Sequence, residues 1–190
     1  MTTAQPRPLQ TIAYGAGAGV LASLAMAMYA MIAAWEKGTG FFTPLFHIAS
    51  LWASQDSMTA SMKDAMTGND FHFVLGTAVL GAMIHMMTGA MFGAGFAVIV
   101  SRLDLGTAAT AGLGIAYGAL VFAVTAFAGL PLAASVFGSG DPITNMAEMA
   151  GWGVFLVEHL VFGLTLGLLV RTFASRTRTS RTDLSAATAR

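Results

Sequence analysis

The sequence predicts an all-α integral membrane protein with four transmembrane helices in two tandem hairpin repeats. Of its 190 residues, 56% are hydrophobic and only 9% are charged, a composition too apolar for a soluble domain. Four nearly uncharged segments each reach the about 20 residues that a helix needs to cross a hydrocarbon core. Two of these segments carry matching histidine motifs, which indicate an internal duplication.

The four apolar segments are predicted to form helices in chain order. They are Ile12 to Trp35, Phe71 to Val100, Thr107 to Leu130, and Ala150 to Ala174. The first segment is longer than the apolar core of a secretion signal, about 7 to 15 residues. We therefore interpret it as a retained spanning helix.

The histidine motif consists of one histidine, glycines four and eight positions later, and a Ser-Arg pair sixteen and seventeen positions later. Its two copies are His85, Gly89, Gly93, Ser101, Arg102 and His159, Gly163, Gly167, Ser175, Arg176. A glycine motif precedes each copy, with Gly15 and Gly17 aligned to Gly112 and Gly114. Repeat one is thus predicted at 11–102 and repeat two at 106–176. Repeats of two helices share one orientation, so His85 and His159 are expected at one depth.

Positive charge collects at both termini and at the turn after the second segment. The arginines there are Arg7, Arg102, Arg171, Arg176, Arg178, Arg181 and Arg190. The two longer connections are mainly acidic, so the positive-inside rule predicts cytoplasmic termini and outward connections. We expect a multi-pass protein of a bacterial inner (plasma) membrane. Residues 1–176 form one transmembrane domain in this interpretation, and 177–190 form a disordered basic tail.

An outer insertion at 36–70 separates the first two helices. Thr43-Pro44 is a favourable helix start, and Leu45, Ile48, Ala49 and Trp52 follow on one apolar face. His47 and Ser50 lie off that face. The pattern predicts a short helix in the outer membrane interface.

The histidines lie on ridges of small residues. Gly81, Gly89 and Gly93 follow the His85 ridge, and Gly163 and Gly167 follow that of His159, so a neighbouring helix can approach closely. Each imidazole therefore faces protein and needs a polar partner. Two interpretations remain open: a hydrogen bond that locks the helix packing of an assembly, or joint binding of haem b or a transition metal by His85 and His159.

Glu158 has no acidic counterpart in the first repeat, where Ile84 stands at the matching place. An intramembrane carboxyl is a candidate proton carrier or a partner for an imidazole. A carboxylate that reaches interfacial water is an equal alternative. The methionines, which include Met83, Met87 and Met91 on one face of the second segment, are best explained as flexible apolar filler.

The second half of the chain resembles the YagU-like family of small bacterial inner-membrane proteins. The resemblance rests on the glycine-rich stretch from Gly112 to Gly129, Leu130-Pro131-Leu132, the acidic helix entry at Glu148 and a closing helix that ends in arginines. It covers about half the chain and implies an inner-membrane protein without a defined activity or catalytic residues.

Function is expected to be binding or structural rather than enzymatic, because no nucleophile or phosphate-loop motif is present. The leading hypothesis is a paired-histidine site for haem or a metal, or a polar lock. A small proton-coupled transporter that uses Glu158, or an accessory subunit of a larger membrane complex, is the alternative. We expect contact with the lipid bilayer, a homo-oligomer or a membrane complex, and no nucleic-acid partner.

Overall fold

The computed structural model describes residues 8–188, with side chains described for 8–175. This part of the chain is helical and contains no strand. Its helices are α1 (Pro8–Glu36), α2 (Thr43–Ala49), α3 (Asp56–Met66), α4 (Leu75–Val100), α5 (Thr107–Val124), α6 (Leu130–Phe137), α7 (Asp141–Thr144), α8 (Met146–Ala150) and α9 (Trp152–Thr188), with a π-helical turn at Thr125–Gly129.

Four helical stretches are long and apolar enough to cross a membrane, which confirms the predicted fold class. They are α1, α4, the continuous stretch Thr107–Phe137, and Trp152–Ser175 of α9. They pair as two hairpins, α1 with α4 and α5 with α9, and α1 also packs along α9. By contrast, α4 and α5 share few contacts although a short turn joins them.

Glycines form the crossing point of each hairpin. In the first, Gly19 lies against the backbone of Gly89, so a Cβ there would collide with a carbonyl group. In the second, Gly114 lies against the backbone of Gly163 in the same way. Backbones approach this closely only where side chains are absent or very small, which explains the glycine ridges on α4 and α9.

The packing differs in register from the alignment of the two glycine motifs. Gly17 and Gly112 have open space where a Cβ would lie. In the first hairpin, Gly19 rather than Gly17 corresponds to Gly114. Gly19 and Gly114 are the residues that lie against the glycines of the two histidine motifs. The tandem duplication itself stays a prediction.

The insertion is helical, as predicted, but the orientation expected for α2 is wrong. His47 and Ser50 are buried, whereas Trp52 is exposed. The backbone of Leu45 packs directly on Gly81 of α4, so α2 lies on the bundle with its polar side chains turned inward. The polar atoms of these side chains form hydrogen bonds within the protein. The spacing of apolar residues in the sequence does not reveal such bonds.

The third span continues past Leu130 to Phe137. Pro131 cannot donate a backbone hydrogen bond, and the π-helical turn that precedes it accommodates this change without ending the helix. Gly138, at a φ of 68°, then closes α6 in the left-handed conformation that glycine tolerates. At the other end of the chain, α9 runs to Thr188. Residues 177–188 therefore continue a helix that is already nucleated, rather than the irregular tail expected from composition.

Candidate functional site

A cavity of about 370 Å³ lies between the four spans. It occupies the half of the bundle that carries the connections 37–74 and 138–151, which we call the loop end. Most of its surface is apolar and includes six methionines: Met26, Met58, Met62, Met91, Met146 and Met149. Its ionisable lining residues are Lys37, His47, His85, Glu158 and His159. The cavity therefore gathers both predicted histidines and the predicted carboxyl around one space.

His85 is tied to the neighbouring helix. Its Nε2 donates a hydrogen bond to the carbonyl oxygen of Ser23 on α1, at 3.0 Å. A carbonyl oxygen only accepts hydrogen bonds, so Nε2 carries the proton. In the neutral ring, Nδ1 then holds the lone pair.

His159 is tied to its own helix. Its Nδ1 donates to the carbonyl oxygen of Phe155, one turn earlier, at 2.6 Å. The ring packs against Phe155 and Phe122, with centroid distances of 4.6 and 5.9 Å. Its Nε2 has no hydrogen-bond partner among the residues that the structure describes. This nitrogen therefore holds an unused lone pair on a ring that borders the cavity.

Glu158 lies beside this ring and is only 6% exposed. Its Oε1 is 3.8 Å from Nδ1 of His159, beyond hydrogen-bond distance. Within residues 8–175 neither carboxyl oxygen has a hydrogen-bond partner. Lys37 is within electrostatic reach of the carboxyl group, and its Nζ donates to the carbonyl oxygen of Ala150 at 2.5 Å.

The structure thus brings Glu158 to the same cavity as His85 and His159. The sequence predicted the two histidines as a pair and Glu158 as a separate candidate. Both imidazole rings border the same cavity. Ile84, which precedes His85 as Glu158 precedes His159, also lines the cavity. The first hairpin therefore places an apolar side chain where the second hairpin places the carboxyl group.

Two lining residues were missed because they belong to connections that appeared to face water. Lys37 follows the last turn of α1, and His47 is part of α2. Nε2 of His47 contacts the carbonyl oxygen of Pro142 at 2.8 Å, which links the insertion to the second connection. Burial lowers the pKa of His47, so the buried ring is held neutral. The sequence signal for a buried His47 was its place between the apolar residues Leu45 and Ile48. No sequence pattern identifies Pro142 as its partner.

The histidines fit the expected cofactors unequally. His159 donates through Nδ1 to a carbonyl and leaves Nε2 free, the arrangement that commonly orients a histidine toward a metal. His85 would have to release Ser23 before its Nε2 could bind haem iron. Among the described residues, no group of three or more histidine, aspartate or glutamate side chains is placed to hold a metal ion.

Fold and site together define an all-α polytopic membrane protein with a histidine- and glutamate-lined cavity between its spans. No protein-family model, curated protein or solved structure matches the chain. The resemblance of its second half to the YagU-like family therefore stays a prediction.

Proposed function

We propose that this chain is an integral membrane binding protein whose paired histidines, His85 and His159, hold a small ligand in the cavity. The observation that supports the proposal is the hydrogen bonding of the two rings. Each ring donates one proton to a carbonyl oxygen and keeps one lone pair for a further partner. Such lone pairs can bind a metal ion, or can accept hydrogen bonds from a ligand.

Haem b and a transition metal are the cofactor versions of this proposal. For haem, His159 is the better-placed ligand, because His85 must release Ser23 before its Nε2 can bind the iron. For a transition metal, Nδ1 of His85 is already available. Thioethers of lining methionines, such as Met26 and Met58, would suit a soft metal such as Cu(I) better than a hard one.

The first experiment is a visible spectrum and a metal analysis of the protein purified in mild detergent, before and after incubation with haemin, Cu(I) or Zn(II). The proposal expects binding of one of these ligands, or of an organic ligand from the membrane extract found by mass spectrometry. His159→Phe should remove the bound species, and Trp152→Phe, at the start of the same helix, should retain it. Folded protein that binds none of these ligands would contradict the proposal.

A second candidate function is a small proton-coupled carrier with Glu158 as the titrating group. The observation that favours it is a buried carboxyl without a hydrogen-bond partner in the described chain, beside a cavity and within reach of Lys37. Intramembrane carboxyls of this kind occur on proton and substrate pathways.

The carrier version predicts that Glu158→Gln abolishes pH-driven uptake in proteoliposomes and leaves folding intact. Glu148→Gln is the matched control, because Glu148 is an exposed acid on α8, outside the spans. Uptake that survives in Glu158→Gln would exclude Glu158 from the mechanism.

We also propose a bacterial inner-membrane location with both termini cytoplasmic. The support is the concentration of arginines at the termini and at the turn 101–106, opposite the more acidic connections. A reporter that is active only in the cytoplasm should work when fused after Arg190. It should fail when inserted at Gly68, in the first connection. The reverse pattern would overturn the proposed orientation.

A further inference from the structure

We infer that the cavity opens sideways into the bilayer between α4 and α5, and that its ligand is an amphiphile from the lipid phase. Its hydroxyl-bearing head lies at His85 and His159, and its apolar tail leaves through the gap. This inference rests on the proposed function, because it assumes that the cavity binds a ligand. It adds the chemical class of that ligand and its route of entry.

The gap follows from how the spans pair. Each of α4 and α5 packs on a different partner, so the two helices face each other across few contacts. Met91 of α4 and Val124 of α5 both line the cavity, yet they are 63% and 47% exposed. Because these two residues lie on facing helices and both line the cavity, they mark an opening between α4 and α5. Because both side chains are apolar and lie within membrane-spanning helices, the opening faces acyl chains.

At the loop end, contacts between the two connections cross the cavity, although Lys37 and Met149 line it there and are exposed. Leu45 and Ile48 of α2 form part of the cavity wall there. The contact of His47 with Pro142 and the hydrogen bond from Lys37 to Ala150 join the insertion and α1 to the second connection. A ligand that enters from water at this end passes the hydrogen bond of Lys37 and the contact of His47, whereas a ligand from the bilayer passes between Met91 and Val124.

The lining defines the ligand chemistry. Most of the cavity surface is apolar, which favours a hydrocarbon body. The free nitrogens of His85 and His159 are acceptors, so the head must donate hydrogen bonds. A ketone or an ester cannot do so, and an anionic head would lie beside Glu158. An alcohol or a phenol with an apolar tail satisfies each of these conditions.

The test uses 4-dodecylphenol with a photoreactive diazirine in its tail, and its methyl ether as the matched compound without a donor. Both are added to the full chain in lipid nanodiscs. The phenol should bind about tenfold more tightly than the ether, since the ether leaves the buried acceptors unpaired. Cross-links from the tail should map to Met91 or Val124. Equal binding of phenol and ether would overturn the assignment of the head.

The route is tested by narrowing the gap. The double variant Met91→Trp with Val124→Trp should slow association of the phenol by about tenfold or more. Met83→Trp with Leu132→Trp is the control, because both residues are exposed on the spans but lie off the cavity. Circular dichroism and gel filtration establish that each variant folds.

The outcomes separate this inference from the proposed function. If the phenol binds at an unchanged rate in the narrowed variant, lateral entry is wrong while the binding function stands. If the phenol fails to bind but a metal or haem is held, the amphiphile is wrong and the binding function again stands. If no ligand of any class binds to folded protein, both are overturned.

Discussion

Nε2 of His85 donates a hydrogen bond to the carbonyl oxygen of Ser23, 3.0 Å away on the adjacent helix. His159, in the second copy of the same motif, donates instead to Phe155 within its own helix. The two imidazoles therefore have different structural roles, although their sequence contexts match. His85 joins α1 to α4, whereas the bond of His159 joins no two helices and leaves its ring oriented at the cavity.

This difference predicts unequal losses of stability. His85→Phe removes an interhelical hydrogen bond and leaves the Ser23 carbonyl with one partner fewer, so it should lower the free energy of unfolding by about 0.5 to 1.5 kcal/mol. His159→Phe should cost less, because its ring is already surrounded by Phe122 and Phe155. Unfolding by SDS in mixed micelles measures both. A larger loss in His159→Phe would contradict the assigned roles.

The glycine crossings predict a sharp positional contrast within one helix. Gly19→Ala places a methyl group against the backbone of Gly89 and should destabilise the protein by about 1 to 3 kcal/mol. Gly17→Ala, half a turn away, enters open space and should change stability by less than about 1 kcal/mol. Gly114→Ala and Gly112→Ala repeat the comparison on α5, in the second hairpin. Equal effects within either pair would show that the crossings are misplaced.

The methionines predict which side chains touch lipid. Met87 is 61% exposed on a spanning helix, whereas Met58 of α3 is 4% exposed beside the cavity. With methyl-labelled methionine and spin-labelled lipids, the Met87 resonance should broaden strongly and that of Met58 should remain sharp. Met87→Leu and Met58→Leu assign the two signals, because each variant removes one methionine resonance and keeps an apolar side chain in its place. Strong broadening of Met58 would be incompatible with its burial.

His47 predicts a loss of stability in acid. Because burial lowers its pKa in the folded protein, the unfolded chain binds a proton first as the pH falls through about 6.5. The contribution of His47 is thus complete above that value and is lost between it and the lower folded pKa. His47→Gln can still donate to Pro142 but does not titrate. Unfolding measured from pH 8 to pH 5 should therefore show a smaller slope in this variant than in the parent chain.

The fold class could be predicted because membrane helices depend on length and apolarity, which are properties of the local sequence. The glycines of the histidine motifs could likewise be placed at helix contacts, because their spacing of four keeps them on one helix face. The sequence could not predict which residues of the two helices in a hairpin lie opposite each other. Gly17 and Gly19 look alike in the sequence, and only the crossing geometry selects Gly19.

The site was predictable in part for the same reason. His85, Glu158 and His159 stand out as polar groups within apolar segments, and all three border the cavity. The partners of the two histidines are backbone carbonyls, and every residue carries one, so the sequence cannot say which carbonyl is used. His47 and Lys37 were missed because a connection of mixed polarity gives no sign that it folds back over the bundle.

The pairing of the spans has a consequence for how the chain can be divided. Each hairpin contains its own glycine-mediated contact between its two helices. The two hairpins pack side by side through the interface between α1 and α9, which we call the seam. The covalent turn at 101–106 adds few contacts to that seam. Two polypeptides cut at this turn should therefore insert independently and reassociate into a working molecule. In the same way, either half could be exchanged, or could diverge, while the other half keeps its shape.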